Sequence, residues 1–155
     1  MIKNMNDNII YGLPDFLDGV VTRERYLRWL SRKARSLRKR DQKGRYFLNY
    51  TNECYKKEIH RAILDSEGRD YYTCEKLNWK KMGKYNNEQS KKAGRDYWKI
   101  FSDAPSVDHY NRNKQLVFKI CSILTNDMKS HMDEREFVDR CKKVIKCQKH
   151  RKTLK

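Results

Sequence analysis

Between Arg23 and Arg45 the chain carries eleven Lys or Arg residues, opposed only by Glu24 and Asp41. Within that run, TRERYLRWLSRKARSLRKRD places Tyr26, Leu30, Ala34 and Leu37 at spacings of four, four and three. This is one apolar stripe on a helix, so the segment is predicted to lay that stripe on a core and turn its cations outward. Thr22 is the predicted N-cap and Gly44 the predicted stop.

The rest of the composition fits a small body behind such a helix. Hydrophobic and charged residues each make up 37% of the 155 residues, so the core must be modest, and the length suits one compact domain. Aromatics at 12%, ten of them Tyr, argue against general disorder. The formal charge of +17 attracts polyanions, of which nucleic acid is the commonest. Five cysteines (Cys54, Cys74, Cys121, Cys141 and Cys147) lie at wide spacings with no C-x-x-C pair. No structural zinc is expected, and free thiols in a reducing cytoplasm are the simplest account. No run of about 18 apolar residues predicts a membrane span, and the N-terminus lacks the pattern of a signal peptide, so the expected location is cytoplasmic.

Along the chain, residues 1–21 read as an arm punctuated by Gly12, Pro14 and Gly19, residues 22–147 as a single domain and 148–155 as a basic tail. A second helix is predicted from Thr51 or Asn52, with Tyr55, Ile59, Ala62 and Ile63 inward and Gly68 at its end. DYYTCEKLNW reads as a short extended element and a turn. NNEQSKKAGRDYWKIF reads as a helix weakened by Gly94, docking Tyr97, Trp98 and Phe101 on the core. After Pro105, SVDHY and QLVFKICSI are predicted to be two strands joined by NRNK, with a helical turn opening at Thr125 or Asn126. Asp133 and Glu136 form a capping box for a last helix that should bury Phe137, Cys141, Val144 and Ile145. The fold class expected is mostly helical α+β, a small β-hairpin plus helix packed on N-terminal basic helices.

The candidate chemistry lies on the hairpin. Phosphodiester hydrolysis needs a base for the nucleophilic water, a cation for the charge building on the phosphate, and a grip on the backbone. His109 is suited to the base because its unperturbed pKa of about 6.5 lies near working pH. Asp108 offers a hard oxygen for Mg²⁺ or Mn²⁺, Asn126 a neutral oxygen, and Lys129 a charge one turn further on. Arg23, Arg28, Arg32, Lys33, Arg35, Arg38, Lys39 and Arg40 would hold phosphates.

VDH on a first strand, a hairpin, and then TND-x-K at a helix start resembles the HNH, or ββα-metal, group of endonucleases. The resemblance implies a metal-dependent cut of a nucleic-acid backbone, DNA before RNA, with Asp108 and Asn126 on one divalent cation per chain and His109 as general base. One site per chain would favour a homodimer for cutting two strands. The paired cysteines that brace many such domains are missing, and the Asn that orients the catalytic His has no obvious counterpart. YT-x-E-x-L-x-W at Tyr72 to Trp79, with EFVDRC, also resembles a group of small bacterial proteins without known activity, which carry glycine where this chain has Cys74.

Plainer roles stand beside these. Asp108 suits a turn or an arginine partner, His109 a half-buried structural position, and Lys129 a solvated surface. Asn126 and Asp127 suit helix caps. Glu75 reads as a surface residue, His60 as structural, His150 as solvated, and His131 lies off any clean turn from Asn126. The alternative function is a basic nucleic-acid-binding protein without chemistry. A further rival is an accessory subunit whose cations meet an acidic protein partner.

Overall fold

The structure, a computed structural model, describes residues 11–43, 50–110 and 116–153. It is mostly helical α+β, with five α-helices and one two-stranded antiparallel hairpin among the described residues. In chain order these are α1 (Arg23–Lys43), α2 (Asn52–Ser66), α3 (Asn87–Phe101), β1 (Pro105–His109), β2 (Phe118–Ser122), α4 (Ile123–Lys129) and α5 (Glu134–Thr153). Helix α1 packs on α2, α2 packs on β2, and α4 packs on both strands.

The apolar stripes build the core. Tyr26, Leu30, Ala34 and Leu37 of α1 meet Tyr55, Ile59, Ala62 and Ile63 of α2, all buried, and Trp29 joins them. Burial of each such large side chain contributes roughly 1.5–3 kcal/mol. Thr22 caps α1 by accepting from the Arg25 N–H at 3.3 Å, and Thr51 caps α2 by accepting from Cys54 at 3.3 Å. The predicted stop of α1, Gly44, lies outside the described residues, as does the NRNK turn. Helix α2 ends with Glu67 at φ 47° and Gly68 at φ 82°. Glycine is needed at 68, where a Cβ would stand 3.1 Å from Phe16 Cδ2. The freed Gly68 carbonyl accepts from Leu77 N and Trp79 Nε1, both at 3.0 Å.

Several local expectations differ from the fold. Of the N-terminal segment, Tyr11, Leu17 and Val21 are buried in the core, so residues 11–21 pack on the body. DYYTCEKLNW contributes only an isolated bridge between Arg69 and Lys76. Asp70 Oδ1 instead accepts from the N–H groups of Tyr72 (2.8 Å) and Thr73 (3.2 Å), folding the chain into a turn. In α3, Gly94 at φ 61° and ψ −140° breaks the helix into two pieces, and of its aromatic end only Phe101 is buried. Helix α4 opens at Ile123 because Ser122 caps it through the Thr125 N–H at 2.9 Å. The capping box of α5 forms in both directions: Asp133 N donates to Glu136 Oε2 at 2.9 Å, and Glu136 N to Asp133 Oδ1 at 2.8 Å. Only Phe137 of its expected inner face is buried, however. Val144 and Ile145 are 52% and 55% exposed, because α5 leaves the body after its first turn and continues through the expected tail to Thr153. No helix among the described residues is long and apolar enough to cross a membrane.

Candidate site at the hairpin and the cationic face of α1

Side chains alternate along β1, so Ser106 and Asp108 share one side and His109 takes the other. The Ser106 and Asp108 side meets α4. Asn126 and Lys129, three residues apart and therefore on one helix face, both reach it. Asn126 Nδ2 donates to Ser106 Oγ at 2.9 Å. The Lys129 ammonium stands 3.1 Å from Asp108 Oδ2 and 3.3 Å from Oδ1, and donates to the His109 carbonyl at 3.3 Å. Tyr72 adds a hydroxyl to Asp108 Oδ2 at 2.7 Å. Burial, and then the carboxylate, push the Tyr72 phenol far above its ordinary range, so it stays a donor. The side chains of Lys129 and Asp108 are 2% and 5% exposed.

Of the four candidate residues, Asp108 and Lys129 meet directly, Asn126 bonds Ser106 on the same side of β1, and the arrangement is closed. Two carboxylate oxygens and a carbonyl form a cation site, and its cation is the Lys129 ammonium. A divalent ion there would have to displace that ammonium and strand it in the interior, at a cost of several kcal/mol. Asn126, expected as a second ligand, points its N–H groups at Ser106. As packed, this donor set does not fit Mg²⁺ or Mn²⁺. Among the described residues no group of three or more His, Cys, Asp or Glu side chains could hold a metal ion.

His109 belongs to a second cluster on the opposite side of β1. Its Nε2 lies 3.0 Å from Asp41 Oδ2, and its Nδ1 lies 2.9 Å from Arg40 Nη2. A carboxylate only accepts and a guanidinium only donates, so these partners assign the neutral tautomer with its proton on Nε2. Tyr55 donates to the same Asp41 oxygen at 2.6 Å. Burial acts to raise the Asp41 carboxyl, but the hydrogen bonds from His109 and Tyr55 outweigh it and hold the group below its ordinary value. The imidazole packs edge-on against Phe118, with 25% of the side chain exposed.

From the sequence Asp41 reads only as an acid opposing the cationic run and Tyr55 only as a core residue, neither as part of a site. Asp41 carried a signal, being an isolated acid at the end of a cationic helix. Tyr72 opens the YT-x-E-x-L-x-W pattern, but nothing in that pattern points to Asp108 as its partner. Two polar residues take plainer roles: Asp127 accepts from Trp98 Nε1 at 2.7 Å rather than capping α4, and His60 bonds the Tyr26 hydroxyl at 2.5 Å.

The cations of α1 divide by how far their contacts hold them, and Arg35 falls between, with one bond from its Nε to the Ser31 carbonyl of its own helix at 3.3 Å. Arg25 is spent on the Met82 and Lys80 carbonyls at 2.9 and 3.1 Å, Arg38 on the Tyr50 carbonyl at 2.9 Å, and Arg40 on His109. Arg23, Arg28, Arg32, Arg35 and Lys39 are exposed. Arg25, Arg28, Arg32 and Arg35, with Trp29 and Gly83, line an open groove of about 630 Å³ that no carboxylate borders. Lys33 turns towards a neighbouring cleft. No protein-family model matches this chain, and neither a curated protein nor a solved structure matches it.

Proposed function

We propose that the protein binds nucleic acid along the cationic face of α1, the guanidinium groups contacting phosphates without reading sequence. The observation that carries this is the groove lined by Arg28, Arg32 and Arg35 with no acid on its border. Charge of one sign in a concave surface focuses the field that draws in a polyanion. Lysine and arginine contacts of this kind release counterions, so binding must weaken steeply with salt. The test is fluorescence anisotropy with short single-stranded and duplex oligonucleotides. Changing Arg28, Arg32 and Arg35 together to Gln should weaken binding by about 100-fold at low salt, each lost phosphate contact contributing on the order of 1 kcal/mol. Unaltered affinity in that triple variant would remove α1 as the interface.

A second reading, phosphodiester cleavage, is favoured by the His109 cluster alone. Asp41 fixes the imidazole and would steady an imidazolium, and Arg40 is an exposed cation beside the Nδ1 lone pair. A phosphate that draws Arg40 to itself frees Nδ1 to take the proton of an attacking hydroxyl as its oxygen bonds to phosphorus; the P–O bond to the leaving oxygen breaks, and that oxygen takes the proton back from the imidazolium. RNA, which carries its own 2′-hydroxyl nucleophile, suits this arrangement better than DNA does. A Mg²⁺- or Mn²⁺-dependent cut would first require Lys129 to leave Asp108. Incubating plasmid and structured RNA with the protein in Mg²⁺, Mn²⁺ or chelator separates these cases. His109→Ala should abolish any cutting while leaving retention of the nucleic acid intact, and an uncut substrate in every condition ends the catalytic reading.

A further inference from the structure

Next to the open groove lies a smaller cleft of about 250 Å³, between α1, the chain around residues 81–87 and the start of β1. Its cations are Arg32, Lys33 and Lys81, and no carboxylate lines it. Lys81 is partly satisfied by Asp103 Oδ1 at 2.6 Å. Arg32 and Lys33 have no hydrogen-bond or ion-pair partner among the described residues. The Lys33 ammonium stands 5.6 Å from the centroid of the Trp29 ring. Burial, and then the charges of Arg32 and Arg40 on its own helix, push it down to about 8; Cys121 on β2 acts weakly the other way. A half-buried ammonium pressed by like charges is in want of an anion. The groove and the cleft share Trp29, Arg32 and Gly83. Gly83 sits at φ 71°, where a Cβ would stand 3.4 Å from Trp29 Cδ1, so the shared wall is left low.

We propose that this cleft receives the terminal phosphate of a nucleic-acid strand, with Arg32 and Lys33 as its cationic contacts, while the strand runs along the adjoining groove. The assignment rests on the nucleic-acid reading above and extends it to strand ends. An internal phosphate drags chain on both sides and needs an open groove. A phosphomonoester at an end has chain on one side only, fits a confined cleft, and carries a second negative charge with a pKa near 6 to meet two cations.

The experiment compares one short strand in three forms: 5′-phosphorylated, 3′-phosphorylated and hydroxyl at both ends. Anisotropy should show one phosphorylated form binding about tenfold more tightly than the hydroxyl form, the effect of one good charge-assisted contact. Lys33→Met and the exposed Arg32→Gln should each shrink that preference. A urea denaturation curve of Lys33→Met reports whether that variant is folded, and an undiminished preference in a folded variant overturns the assignment of Lys33. The preference should fall as pH rises through 8, as Lys33 loses its proton. Equal binding of all three forms overturns the cleft assignment and leaves the nucleic-acid reading standing, whereas no binding of any form overturns both. A nucleoside monophosphate that competes as well as the strand would make the cleft a free-nucleotide site and overturn the strand-end assignment.

Discussion

The Lys129 ammonium lies 3.1 Å from Asp108 Oδ2, and the two side chains are 2% and 5% exposed. The pair ties α4 to β1 from within, and Tyr72 ties the preceding turn to the same carboxylate. Its worth lies in the cost of breaking it, since removal of one partner leaves the other charged and buried. Lys129→Met should therefore destabilise the protein by about 3–5 kcal/mol in urea denaturation. The double change Asp108→Asn, Lys129→Met should be less damaging than the sum of the singles, because it leaves no orphan charge. Additive losses would show that the two residues act separately.

The same contact bears on cation binding. A ligand that binds only the folded state raises its stability in proportion to the logarithm of its concentration over Kd. Because the ammonium already holds the Asp108 oxygens, millimolar Mg²⁺ or Mn²⁺ should leave the melting temperature of the parent protein unchanged. A rise of several degrees, lost in Asp108→Asn, would show that Lys129 gives way to the ion.

Asp41 makes a pH-dependent contribution of known sign. Its folded carboxyl titrates below the ordinary value of 3.8, so it binds fewer protons at acid pH than the unfolded chain does. Its stabilisation is complete above the unfolded value and is lost as pH falls through the lower folded one. Asp41→Asn should thus destabilise the protein by about 1 kcal/mol near neutrality, the side chain being 12% exposed. The difference from the parent should close in strong acid. A gap that persists at the lowest accessible pH would place the effect in packing rather than in the charged hydrogen bonds to His109 and Tyr55.

What the sequence made legible was whatever depends on spacing along one element. The stripes from Tyr26 to Leu37 and from Tyr55 to Ile63, the caps at Thr22 and Thr51, and the Asp133 and Glu136 box are all short-range patterns, and each forms. The side of β1 on which Asp108 lies could be read by alternation, but its partner could not. Lys129 reads as a solvated lysine because nothing local shows that α4 folds back over the hairpin. The inner face expected of α5 differs for the opposite reason: the pattern at Cys141, Val144 and Ile145 is helical, but burial needs a second surface, and Cys141 is only partly covered while Val144 and Ile145 stay exposed. His109 was legible as a candidate. Its contacts with Arg40 and Asp41 span 69 and 68 residues, and only the tertiary fold brings them together.

The cations of α1 should separate by experiment as they separate by contact. Arg28 and Arg35 are exposed along the groove, Arg35 holding only one long bond to the Ser31 carbonyl of its own helix at 3.3 Å, so replacing either by Gln should weaken nucleic-acid binding uniformly across sequences. Each should also lower the slope of log affinity against log salt by about 1, one counterion-releasing contact apiece. Arg25 lines the same groove, but its Nε and Nη2 donate to the Met82 and Lys80 carbonyls. With those bonds already made, Arg25→Gln should cost about 1–2 kcal/mol of stability and change the salt slope little. Slopes measured between about 50 and 200 mM salt, paired with denaturation curves for the same variants, test this directly. An Arg25 variant that loses slope but keeps its stability would show that the guanidinium exchanges its carbonyl partners for phosphate on binding.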